Sequence, residues 1–187
     1  MPPEFPATTT MRRIWRFNPC PQGQALLRRH FSPLRVNDDP VLFTTLVDTC
    51  GLNNTIWAAQ TRPDLGHLWR RYALFCARHV AHHVKHPTAL AAMARTEEHL
   101  RGTVTRQQLA ASWGDCERAI WDLSLRHSLG QASGAEHQAA MAALHCSHPN
   151  PAMAASWAAA CSSSSLEVAQ LQVATFRQLV STGEINA

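Results

Sequence analysis

Alternation of apolar and polar residues with period two is missing from this chain over any six or more positions, and β-branched residues are sparse. Both absences count against strands, whose half-buried faces need that period. No apolar run approaches the roughly 20 residues of a membrane-spanning helix. The N-terminal stretch carries arginines without the apolar core of a secretory signal, so a cytoplasmic location is expected. Glycine-rich phosphate loops, dinucleotide glycine fingerprints, zinc-finger spacings and HExxH are also missing, which removes the commonest nucleotide and zinc-enzyme readings. Lysine is nearly absent, because sixteen of the seventeen basic residues are arginine, the cation suited to bidentate contacts.

The residues present describe an all-α domain. At 187 residues and 45% hydrophobic content the chain can bury a core without disulfide staples. Its six cysteines stand about thirty residues apart, mostly on helical faces, and read as free thiols in a reducing compartment. From Pro63 to His86, Leu65, Leu68, Trp69, Tyr72, Phe75, Cys76, His79, Val80 and His83 recur at helical spacing and predict one long central helix. Around it the spacing predicts helices starting at Asp39-Pro40, at Thr88, at a capping box over Thr105–Gln108 and at Ser133. Further starts fall at Asn150-Pro151 and at a capping box from Ser164 to Glu167. The expected architecture is a single multi-helix bundle over residues 36–187, with alanine-rich C-terminal helices and Trp57, Trp69, Phe75 and Trp113 buried. A basic N-terminal arm, residues 1–35, precedes it, extended at first, docked onto the body by Ile14, Trp15 and Phe17, and including a short helix near 22–31.

Charge is divided unevenly. Residues 1–35 hold six arginines against Glu4, a net +5, and the remaining residues carry −1 of the total +4. Attraction to acidic partners therefore falls to the arm, where Arg12, Arg13 and Arg16 alternate with Trp15 and Phe17 as charge and stacking surfaces do in single-strand binders. Arg70, Arg71 and Arg78 are expected on the outer side of the central helix. These eight residues form the predicted partner-binding set, with a protein target and possible contact with nucleic acid through the arm.

The densest ligand-type cluster is Cys76, His79 and His83 on one helical face, with His82 and His86 on another; His145, Cys146 and His148 form a smaller group in an expected loop. The simpler reading packs the inner members in the core and leaves the outer histidines in solvent, so no metal or other cofactor is expected. Apolar neighbours would raise the Cys76 thiol pKa rather than activate it. The carboxylates are spread over outward faces without a pair suited to acid/base work, and a non-enzymatic protein is expected.

Four stretches carry a family resemblance: GLNNTIWAAQ at 51–60, RRYALFCARHV at 70–80, LRGTVTRQQLAASWGDCERAIWDLS at 100–124 and LEVAQLQVATFRQLV at 166–180. Over residues 45–187 the chain resembles the immunity proteins of bacterial polymorphic toxin systems. Asn53 and Asn54 replace the family's acids, and Phe176 stands where a tryptophan is usual. The resemblance implies a helical cytoplasmic protein that neutralises a toxin by stoichiometric binding. Two alternatives stay open: an anti-defence protein of a phage or mobile element, of anti-CRISPR type, and a metal-dependent helical enzyme.

Overall fold

The computed structural model describes residues 5–31, 38–163 and 165–185. It is an all-α multi-helix domain with one small two-stranded sheet. In chain order come β1 (Thr8–Thr10), α1 (Met11–Arg16), α2 (Pro21–His30), β2 (Pro40–Leu42), α3 (Phe43–Cys50), α4 (Leu52–Ala58) and α5 (Gly66–His79). They are followed by α6 (Pro87–Leu100), α7 (Arg106–Ala111), α8 (Trp113–Ser128), α9 (Gly134–His145), α10 (Pro151–Ser162) and α11 (Leu166–Thr182). No helix among the described residues is long and apolar enough to cross a membrane.

The scaffold centres on α5, which packs most extensively against α10. Alanine makes this close approach possible: Ala154, Ala155, Ala158 and Ala159 are buried on α10, and small side chains let helix axes come together. The two helices run in the same direction, since Gly66 meets Pro151 at one end and Cys76 meets Ser162 at the other. A Cβ on Gly66 would lie 3.2 Å from the Pro151 ring, so glycine at the start of α5 sets how tightly the two N-termini close. On the far side Trp69 sits between Phe43, at 5.3 Å between ring centroids, and Phe176, at 6.0 Å and 12° from parallel. Tyr72 meets Phe176 edge-on and donates its hydroxyl to the Gln172 carbonyl at 3.2 Å. A second apolar cluster joins α6, α8 and α9 with Val80 and Val84.

The N-terminal segment docks through Ile14 and Trp15 as expected, with Phe17 left exposed, but it forms β1 and α1 rather than an extended arm. β1 pairs antiparallel with β2, Thr9 opposite Val41, and Ala7, Met11, Ile14 and Leu27 are buried in the same core cluster as α3, α5 and α11. Trp15 also packs against that cluster. Asp39-Pro40 does not start a helix; Pro40 instead opens β2 on a sheet edge, where its missing N–H costs little, and α3 begins at Phe43.

The central helix also stops early, at His79 rather than His86, and a 3-10 turn follows at Ala81–His83. Packing explains the break: Val80 and Val84 turn into the second cluster and the turn rests on α9. The helix expected from Thr105 divides at Ser112, whose hydroxyl donates back to the Leu109 carbonyl at 2.8 Å, a local bond that competes with helix continuation. The Thr105 capping box forms with both cross-bonds, and Ser133 and Asn150 cap as expected. The last cap is Ser165, whose hydroxyl accepts from the Val168 amide; Ser164, the expected cap, lies outside the described residues. α6 starts at Pro87 after His86, one residue before the expected cap. Trp69 is buried as expected, whereas Trp57, Phe75 and Trp113 are half-buried.

Candidate functional site

The expected partner-binding residues do not form one surface. Arg12, Arg13 and Arg16 are exposed on α1, opposite the buried Ile14. Arg12 reaches Asp38 at 3.2 Å, an exposed pair of small energetic weight. Trp15 is half-buried, with the Arg28 guanidinium 5.5 Å from its ring centroid, while Phe17 stays 47% exposed. Arg71 donates to the Gly183 carbonyl at 2.8 Å, tying α5 to the end of α11. Arg78 is exposed and pairs with Glu97 at 2.6 Å, an interaction that holds the Glu97 carboxyl below its ordinary range.

Arg70 is not on an outer face. It is 2% exposed, and its Nη1 donates to the carbonyls of Cys146 at 2.9 Å and His148 at 2.5 Å. The reason lies in α9, whose C-terminal carbonyls lack helical partners and attract a cation. Burial pulls the guanidinium down to a pKa of about 10, and the nearby Arg106 adds to the depression. Arg70 and Phe17 line one cleft with Arg106, His67 and His99, between the starts of α5 and α10.

The metal-type cluster does not assemble on one face. Cys76 is fully buried and its thiol is pushed up to about 12 by burial, whereas His79 and His83 are exposed beside His82. Among the described residues no group of three His, Cys, Asp or Glu could hold a metal ion. His145 and Cys146 are core residues rather than loop residues. The His145 ring lies 5.9 Å from Trp113 and 5.3 Å from Trp157, and burial lowers its pKa to about 4. Cys146 is pushed up to about 12 by burial and donates to the Ala143 carbonyl.

An exposed apolar face on α8 was not among the expected site residues. On α8, Trp121 is 76% exposed, Leu125 59% and Leu129, at the C-cap, 62%. The steps of four place the three on one side, away from Cys116, Ala119 and Leu123, which face the core. Arg118 and Asp122, both exposed, flank them at helical spacing. The signal was present in the sequence as a Trp and a Leu four residues apart, off the core stripe of the same helix. Against known proteins, no family model matches the chain, and no curated protein or solved structure is significantly similar to it.

Proposed function

We propose that this chain is a non-enzymatic, immunity-type inhibitor that neutralises a protein toxin by stoichiometric binding. The observation that carries the reading is the Trp121, Leu125 and Leu129 face of α8. Three large apolar side chains left in water on a rigid helix, rimmed by charges of both signs, suit the helix-in-groove mode of protein recognition. Tryptophan is among the residue types that most often dominate such interfaces. The resemblance of residues 45–187 to immunity proteins supports the same reading. It also supports a cytoplasmic site of action, where such a toxin would be met.

The exposed Arg12, Arg13 and Arg16 beside Phe17 favour a second reading within the binding class: an anti-defence protein that engages a nucleic-acid-bearing complex. Both readings use binding without turnover, and co-expression separates them. The product of a neighbouring toxin gene should stop growth alone and permit it when this chain is co-expressed. Protection of an invading phage from an RNA-guided nuclease, with no effect on the toxin, would support the second reading. Failure of both would overturn the inhibitor reading.

A further inference from the structure

We infer that the cleft between the starts of α5 and α10 is a binding site for a small phosphate-bearing ligand, held by Arg70 and Arg106. The cleft has a volume of about 580 Å³, within the range of small-molecule sites. Arg70 lines it almost wholly buried, and its Nε has no hydrogen-bond partner. A buried cation ordinarily has an acid beside it, yet no described carboxylate pairs with Arg70. The charged side chain that acts on it from the cleft, Arg106, has the same sign.

Asp64 also lines the cleft, but Arg62 occupies both of its carboxylate oxygens at 2.6 to 3.1 Å. The start of α10, Asn150 to Ala152, also lines the cleft, but its donors are taken: Pro151 has no N–H, and Asn150 Oδ1 accepts from the amides of Ala152 and Met153. Two guanidiniums thus line a space without a free acid. Guanidinium groups match the oxygens of a phosphate group, and a dianion would balance the two charges. Phe17, Pro63 and Pro149 supply apolar wall for an organic body attached to it.

The test uses the full chain and two probes, inorganic phosphate and phenyl phosphate, against chloride at matched ionic strength, read by titration calorimetry. Arg106→Gln is the main variant, because Arg70 is buried and its substitution endangers the fold; circular dichroism confirms that the variant remains helical. Saturable binding that weakens at least about tenfold in Arg106→Gln supports the site. Tighter binding of phenyl phosphate, lost in Phe17→Ala, identifies an organic phosphate, and equal binding of both probes identifies free phosphate as the occupant. No binding above chloride, or binding unchanged by Arg106→Gln, overturns the proposal and leaves Arg70 as a purely structural tie to α9.

Discussion

The amide of Ala7 donates to the carbonyl of Val180 at 2.7 Å, so the N-terminal strand region is fastened to the last helix. Around that bond Ala7, Met11 and Ile14 are buried among residues of α3, α5 and α11. The basic segment is therefore part of the folding unit. Deleting residues 1–20 should lower the urea midpoint and melting temperature substantially, and Ile14→Ala alone should cost about 2 to 5 kcal/mol, as large-to-small core changes do. A truncated chain that melts like the full one would contradict this packing.

Gly183 ends α11 with φ at +79°, and a Cβ there would stand 2.6 Å from the Phe5 ring. Gly130, after α8, has φ at +71° but open space around it. Gly130→Ala should cost about 1 kcal/mol for the left-handed backbone alone. Gly183→Ala should cost clearly more, since the Phe5 ring must also move. Chemical denaturation of the two variants side by side checks the order, and equal losses would refute the Phe5 contact.

His145 makes the fold sensitive to acid. Its folded pKa of about 4 lies below the ordinary 6.5, with burial the first cause and His148 the second. The unfolded chain therefore takes up the proton first. This contribution is fully present above about pH 6.5 and is lost as pH falls toward 4, amounting to about 3 kcal/mol over that window. His67, His137 and His148 are lowered in the same direction, each with burial as the leading cause. Urea midpoints should fall between pH 7 and 5, and fall less in His145→Leu. A variant with the wild-type slope would show that His145 titrates alike in the folded and unfolded chains.

Much of the helical frame was legible in local chemistry. Thr105 and Gln108, Asn150 before Pro151, and Gly183 each mark a helix end by a bond or backbone state that depends only on neighbours in the chain. What escaped depended on distant partners. β2 exists because β1, some thirty residues earlier, pairs with it, and that pairing overrides a good N-cap signal at Asp39. Arg70 was assigned to an outer face that α5 does not have on that side. Leu68, Trp69, Arg70, Tyr72, Ala73, Leu74, Cys76 and Ala77 are all buried, because α6, α9, α10 and α11 surround the helix. Of the expected site, Arg12, Arg13, Arg16 and Phe17 are exposed as an interaction set requires, but the α8 face needed the fold to show which side of that helix stays in water.

The binding role proposed for the α8 face can be tested apart from stability. Trp121 and Leu125 make little use of the core, so Trp121→Ala and Leu125→Ala should each change stability by no more than about 0.5 kcal/mol. The most direct measurement is to titrate the activity of the toxin used in the co-expression test with this chain, for wild type and for the Trp121→Ala, Leu125→Ala double variant. Inhibition should be complete at one chain per toxin, and the double variant should bind at least about tenfold more weakly, a loss of ~1.4 kcal/mol or more, while melting like the wild type. Complete inhibition at far below one chain per toxin, or a double variant as potent as wild type, would contradict stoichiometric capture through α8.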